Sequence, residues 1–82
     1  MDGSIHLKPS ERKTLLDYYR KSADPALRLR AHILLLLDDA RPWSQIEAML
    51  YTSASTIRRW KNRFQREGLD GVLESRRGRP AG

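Results

Sequence analysis

Four arginines lie on one side of a predicted helix in residues 53–67. In this segment Ile57, Trp60 and Phe64 recur at helical spacing, so at about 100° per residue they form a single apolar stripe. The remaining polar arc comprises Ser55, Arg58, Arg59, Asn62, Arg63 and Arg66. Guanidinium, amide and hydroxyl groups form hydrogen bonds with the edges of DNA bases. The pattern is therefore typical of a helix that inserts into the major groove of DNA.

The positive charge of the chain is concentrated in its second half. The formal net charge is +6, yet residues 1–40 hold seven basic and six acidic side chains, whereas residues 41–82 hold nine and four. A basic half beside a nearly neutral half is typical of nucleic-acid binding, because basic side chains displace counterions from phosphates. A solvated helix face and a basic membrane-surface helix are the alternatives, but a protein core can absorb the Ile, Trp and Phe stripe.

The composition argues against several other classes of protein. With 82 residues the chain can form one small domain, with no room for a catalytic α/β domain beside it. It has no cysteine and two distant histidines, so we expect no metal and no other cofactor. The longest apolar run, residues 33–37, is far below the roughly 20 residues of a membrane span, and the N-terminus lacks a signal-peptide pattern. We therefore expect a cytoplasmic, nucleoid-associated protein without a membrane or small-molecule partner.

Two helices are predicted upstream of the basic one. The first spans residues 9–21 and begins at Pro9 or Ser10, since proline suits the first helical position and serine the N-cap. Residues 1–7 show no pattern and should be mobile. The second helix spans residues 25–39 and follows an Asp-Pro start signal. Its C-terminal half is apolar nearly all round, which predicts the most buried element, although its surplus leucines could also serve a homodimer.

A short helix and a turn lead into the basic helix. Ser44 and Glu47 have the spacing of a capping box, which predicts a helix over residues 45–51 with Ser44 as N-cap. After a brief turn, Ser53 is the N-cap of the basic helix, residues 54–67. Two helices joined in this way form a helix-turn-helix unit, in which the first crosses the DNA backbone and the second reads base edges. The alternative is a helical hairpin that does not bind DNA.

Two residues differ from the usual helix-turn-helix pattern. Glu47 stands where a small residue often follows the isoleucine of the first helix, and Tyr51 stands where glycine often forms the turn. If the turn needs a positive φ at Tyr51, an aromatic residue there costs on the order of 1 kcal/mol. A longer turn with ordinary backbone angles would avoid that cost.

The end of the basic helix and the tail after it carry further signals. Gly68 fits the glycine position of a Schellman motif closed by a contact between Leu69 and Phe64, and an Asp-Gly turn follows. Residues 74–82 are polar and aperiodic, which predicts a segment that is disordered when free. Their Arg-Gly-Arg-Pro run resembles an AT-hook, because two arginines beside a glycine can lie along a narrow A·T minor groove. An arginine-rich linker is the alternative.

The spacing of one set of residues also indicates a family. The set comprises Arg30, Ala31, Ile33, Leu34, Leu35, Trp43, Ser44, Ile46, Leu50, Ser53, Ser55, Thr56, Ile57, Arg59, Trp60, Arg63, Phe64, Gly68, Leu69, Gly71, Gly78, Arg79 and Pro80. With these residues the chain resembles the N-terminal region of transposases of the insertion sequence 630 group, in the mariner superfamily, over roughly residues 7–80.

This resemblance implies binding to the terminal inverted repeats of a mobile element. The residues implied to read the DNA are Ser55, Thr56, Arg58, Arg59 and Asn62, and those of the minor-groove linker are Arg77, Gly78 and Arg79. In such transposases further domains follow, including a catalytic one in which three acidic residues bind two divalent metals. We expect that catalytic module to be absent from this chain.

Together these observations predict an all-α, four-helix helix-turn-helix domain, homeodomain-like or winged-helix-like, in residues 1–73, with a flexible basic AT-hook-like linker in residues 74–82. We expect sequence-specific binding of double-stranded DNA and no enzymatic activity. Phosphate contacts are expected from Arg41, Lys61, Arg63 and Arg66, and base-edge contacts from Ser55, Arg58, Arg59 and Asn62. The remaining expected DNA-binding residues are Ser53, Thr56, which could join either set, and Arg76, Arg77, Gly78 and Arg79.

Three other functions remain open at this point. The chain could be a free-standing helix-turn-helix transcription regulator. It could be a truncated transposase reading frame that represses its own element. A different class is a protein-interaction module that dimerises through the first two helices and binds an acidic partner with its basic face.

Overall fold

The computed structural model describes residues 5–73, and these form helices joined by short turns. The helices are α1 (Pro9–Lys21), α2 (Pro25–Asp38), α3 (Trp43–Leu50), α4 (Ala54–Glu67) and α5 (Leu69–Leu73). The predicted all-α helix-turn-helix class is confirmed. The predicted number of four helices is wrong, because a fifth short helix follows the basic one.

Local capping explains where α1 and α2 begin. Pro9 is the first helical residue of α1, and the Lys8 N–H donates to the Glu11 carboxylate at 2.9 Å. Proline therefore marks the start that the sequence left undecided. The Asp24 carboxylate accepts from the Ala26 N–H at 3.0 Å and caps α2.

Residues before α1 are packed rather than free, which corrects the expectation of a mobile segment for those that the structure describes. Ile5 is buried in the core. The Leu7 N–H donates to Asp38 Oδ1 at 2.9 Å, and Arg12 Nη1 lies 2.6 Å from Asp38 Oδ2. Asp38, at the end of α2, therefore holds the incoming segment and α1 together. The signal was missed because a short extended segment has no helical periodicity.

The second helix ends in a Schellman motif built on alanine. Ala40 has φ 59°, in the left-handed region that glycine usually occupies at this position. The Arg41 N–H donates to the Leu36 carbonyl at 3.1 Å, and the Ala40 N–H donates to the Leu37 carbonyl at 2.9 Å. These bonds end α2 at Asp38, one residue before the predicted end.

The third helix begins two residues earlier than predicted, so Ser44 is not its N-cap. Pro42 has the extended backbone of an N-cap residue, and its carbonyl accepts from the Gln45 and Ile46 N–H groups at 3.0 and 3.1 Å. Ser44 therefore lies inside the first turn, where a helical backbone cannot form a capping box. The earlier start also brings Trp43 into the helix, where it is half-buried against the core.

The turn of the helix-turn-helix unit places Tyr51 in the left-handed region, with φ 53° and ψ 50°. The Thr52 N–H donates to the Glu47 carbonyl at 3.2 Å, which closes the end of α3. The side chain of Tyr51 is 95% exposed. The turn is therefore the short one, with positive φ at Tyr51. Burial of the aromatic ring does not offset the cost of that backbone conformation.

The α2 helix is the spine of the core. All residues from 33 to 37 are buried, as predicted for the most buried element, so this run leaves little apolar surface for a partner. Each other helix places a buried residue in the same cluster: Leu15, Ile46, Ile57, Trp60, Phe64 and Val72. The apolar stripe of α4 therefore packs inward, and its polar arc faces away from the core.

A glycine with positive φ separates α4 from α5. Gly68 has φ 69° and ψ −151°, and its N–H donates to the Phe64 carbonyl at 2.7 Å. These angles lie outside the left-handed helical region, so the predicted Schellman ending is wrong, and the chain continues directly into α5. Gly71 lies in α5, where a Cβ would approach side-chain carbons of Arg63 and Glu67 to 3.0 Å. Its lack of a side chain lets α5 approach α4 closely.

Candidate nucleic-acid interface

Hydroxyl groups cluster at the beginning of α4. The Ser53 Oγ accepts from the Thr56 N–H at 3.3 Å, so Ser53 is the N-cap of α4, as predicted. The same oxygen lies 3.2 Å from Ser55 Oγ and 3.1 Å from Thr56 Oγ1. Three hydroxyls therefore stand together at the helix end that a helix-turn-helix unit directs towards DNA, where N–H groups and the helix dipole favour phosphate oxygens.

The polar arc of α4 is exposed along its length. The exposed residues on it are Ser55, Arg58, Arg59, Asn62 and Arg66, whereas Thr56 and Arg63 are half-buried at one edge. The opposite face is buried through Ile57, Trp60 and Phe64. Because that stripe fixes the rotation of the helix, the exposed arginines and Asn62 are presented together on one surface.

One edge of this surface is a cleft between α2 and α4. It has a volume of about 420 Å³ and is lined by Arg30, Arg59, Trp60, Asn62, Arg63 and Arg66. The Arg30 guanidinium lies over the Trp60 ring at 4.6 Å, and that of Arg63 lies at 5.8 Å. Stacking on an aromatic face holds a guanidinium in place while the group keeps its full positive charge.

The other edge contains a second arginine and tryptophan pair. The Arg58 guanidinium lies 5.8 Å from the centre of the Trp43 ring, which joins α4 to the start of α3. Arg41 is exposed just before α3, and its Nη1 lies 3.4 Å from Gln45 Oε1. Cationic groups therefore flank the exposed surface of α4 on both sides.

Some predicted contact residues lie at the margin of this surface or outside the described residues. Lys61 follows Ile57 by four residues, so it lies nearer the core side of α4 and is half-buried. Residues 76–79, which include the predicted linker arginines, lie outside the described residues. Glu67 adds an acidic group that the sequence interpretation left out: its carboxylate lies 3.6 Å from Arg63 Nε and 4.0 Å from Arg66 Nη2.

Arg30 is the residue of this region that sequence reasoning left out of the site. It precedes Ile33, Leu34 and Leu37 by three, four and seven residues, so it lies on the core-facing side of α2. A charged residue on such a face needs a partner, and Arg30 has the Trp60 ring and the Val72 carbonyl, at 3.2 Å from Nη1. A charged residue on the core-facing side of α2 was therefore the signal in the sequence that could have identified Arg30.

A comparison with protein families agrees with this geometry. A family described as winged helix-turn-helix matches residues 30–82, which is more than half of the chain. The chain belongs to the winged helix-turn-helix family. This membership supports the predicted helix-turn-helix DNA-binding region without specifying the transposase group. No match is found among curated proteins or among solved structures.

The winged helix-turn-helix match begins inside α2 and includes the whole of α3, α4 and α5. Residues 5–73 contain no strand, so the wing of the family description has no counterpart in that part of the chain. Within the same described part, no group of three acidic, His or Cys side chains is placed to hold a metal ion. None of the helices described is both long enough and apolar enough to cross a bilayer.

Proposed function

We propose that this winged helix-turn-helix domain binds double-stranded DNA sequence-specifically by inserting α4 into the major groove. One observation carries the proposal: the polar arc of α4 is exposed, while its stripe of Ile57, Trp60 and Phe64 is buried. A helix is about 10–12 Å across, which matches a major groove about 12 Å wide. The arginine and tryptophan pairs then face the two phosphate strands that border the groove.

The residues of the interface take different roles in this proposal. Base edges are contacted by Ser55, Arg58, Arg59 and Asn62, which lie on the outermost part of α4. Phosphates are contacted by Arg41, Lys61, Arg63 and Arg66. The Ser53 and Thr56 hydroxyls lie at the N-terminal end of α4, nearest the DNA backbone. Arg76, Arg77, Gly78 and Arg79 would follow the adjacent minor groove.

The biological target that we propose is the terminal inverted repeat of a mobile element, recognised by the DNA-binding domain of a transposase. The resemblance to the insertion sequence 630 group supports this target. A helix-turn-helix transcription regulator is the second candidate, since the family description fits it equally well. The two separate on the preferred site: inverted repeats that flank the source gene favour a transposase, and a site within a promoter favours a regulator.

The test begins with selection of bound duplexes from a random library, followed by anisotropy titration of the selected duplex and a scrambled one. Three arginine variants are compared: Arg59→Ala on the outer face, Arg66→Ala as a phosphate contact, and Arg20→Ala on α1 as a charge control. Arg59→Ala should cost about 1–3 kcal/mol on the selected duplex and relax base preference. Arg66→Ala should weaken both duplexes equally, and Arg20→Ala should change neither by much.

Two results would contradict the proposal. Selection without enrichment, with equal binding of selected and scrambled duplexes by the unmodified domain, would show that α4 does not read bases. Equal losses for Arg59→Ala and Arg20→Ala would show that α4 contributes only charge. In the second case an interaction with an acidic protein would become the better hypothesis.

A further inference from the structure

The cleft between α2 and α4 has the composition of an anion site. Four of its six lining residues are arginines, Arg30 from α2 and Arg59, Arg63 and Arg66 from α4, and none is acidic. Glu67 lies outside the lining, and its carboxylate pairs with Arg63 at 3.6 Å and with Arg66 at 4.0 Å. Planar guanidinium groups with several N–H donors match the oxygens of a phosphate.

Arg30 is held in position independently of any ligand. Its guanidinium lies 4.6 Å from the centre of the Trp60 ring, and its Nη1 donates to the Val72 carbonyl. Trp60 is only 8% exposed, so the ring beneath Arg30 is itself fixed by the core. A cation fixed in this way loses little conformational entropy when it binds an anion.

The two sides of the cleft occupy different positions relative to the proposed DNA. Arg59 and Arg66 are two helical turns apart on α4, a distance of about 10 Å, and both are exposed on the outer arc. The side of the cleft formed by α4 is therefore continuous with the surface that enters the major groove. The side formed by α2 stands beside the groove, where a phosphate strand would run.

We infer that this cleft binds backbone phosphate of the DNA strand that borders α4, and that Arg30 is its anchoring cation. The inference rests on the proposed function and deepens it. It adds a residue of α2, outside the helix-turn-helix unit, to the DNA-binding surface. The ligand is a phosphodiester, and the contact carries no base preference of its own.

The first test compares Arg30→Gln with Arg28→Gln, which removes an exposed charge from the same helix two residues away, about 200° around it. Arg30→Gln should weaken binding to the selected duplex about tenfold, through loss of a charged hydrogen bond. One phosphate contact fewer should also make the ratio of unmodified to variant affinity fall about 3.5-fold between about 50 mM and about 200 mM salt. Arg28→Gln should stay close to the unmodified domain at both concentrations.

A second test locates the contact. Single neutral methylphosphonates are placed in turn along the selected duplex, and each duplex is titrated with the unmodified domain and with Arg30→Gln. One position, or two adjacent positions, should weaken the unmodified domain about tenfold and the variant less than about twofold. Thermal unfolding of each variant establishes that binding is measured on folded protein. If Arg30→Gln does not fold, Arg30→Lys takes its place, since it keeps the charge and should show a reduced effect at the same position.

The outcomes separate this inference from the function on which it rests. If the unmodified domain shows no preference for the selected duplex, the proposed function fails. If it does show that preference but Arg30→Gln binds like Arg28→Gln, the cleft is not a phosphate site and the proposed function stands. If no methylphosphonate position distinguishes the Arg30 variant from the unmodified domain, the inference is overturned even when overall affinity falls.

Discussion

Replacing Tyr51 with glycine should make the domain more stable, although it removes a large aromatic side chain. Tyr51 has φ 53°, and its side chain is 95% exposed. The exposed ring contributes little burial, so its removal costs little. What changes is the backbone, because the left-handed region costs a residue with a Cβ about 1–2 kcal/mol and costs glycine almost nothing.

The size of the effect follows from two opposing terms. Relief of the left-handed conformation contributes about 1–2 kcal/mol, and the greater freedom of glycine in the unfolded chain takes back about 0.5–1 kcal/mol. The midpoints of the two ranges give a net increase in the free energy of unfolding of about 0.75 kcal/mol. For a domain of this size that corresponds to a rise in Tm of about 3–6 °C.

Urea and thermal unfolding, followed by circular dichroism, measure this change. Tyr51→Ala is the matched control, because it also removes the ring but keeps a Cβ in the left-handed region, so its stability should stay near that of the unmodified domain. Ala48→Gly, on the exposed side of α3, should lower stability by about 1 kcal/mol. If Tyr51→Gly and Tyr51→Ala were equally stable, the argument from backbone strain would be refuted.

The remaining predictions concern the N-cap of α4, its apolar stripe and the half-buried histidine of α2. Ser53→Ala should lower the free energy of unfolding by about 1 kcal/mol in urea, whereas Ser53→Asp, which keeps an acceptor, should not. Trp60→Ala should cost about 3–5 kcal/mol and leave the domain largely unfolded by circular dichroism; a folded variant would show that the ring is not core. Burial lowers the pKa of His32, which contacts the Tyr19 ring, below 6.5. Its neutral form is therefore favoured in the folded state, so Tm should decrease as pH falls below about 6.5, and His32→Gln should remove that part of the pH dependence.

Helix starts could be predicted because they depend on residues close together in the chain. Each signal acts within fewer than four residues of the helix start: Pro9 in α1, the Asp24 carboxylate before α2 and the Ser53 hydroxyl before α4. The buried stripe of α4 was likewise legible from its spacing. The predicted start of α3 was wrong because two local signals compete there. Ser44 has the spacing of a capping residue, but Pro42 is the observed N-cap, and the helix that begins after Pro42 also packs Trp43 against the core.

Features that depend on contacts between distant segments could not be predicted. The fifth helix has only five residues and an Asp-Gly pair, which by itself indicates a turn. It is helical where Val72 is fully buried and Gly71 allows close contact with α4. In the candidate site, the stack of Arg30 on Trp60 joins α2 to α4 across 30 residues, and that of Arg58 on Trp43 joins α4 to α3. Spacing within α2 indicates that Arg30 faces the core and needs a partner, but it does not identify Trp60 as that partner, and spacing within α4 does not identify Trp43 as the partner of Arg58.

The division of α4 into a buried stripe and an exposed arc makes the domain suitable for redesign of its target. Exposed surface substitutions usually change stability by no more than about 0.5 kcal/mol. A combinatorial library at Ser55, Arg58, Arg59 and Asn62 should therefore yield mostly folded proteins, and selection could act on DNA preference alone. Trp60 and Arg30 would be held constant, because they belong to the scaffold that orients the randomised positions.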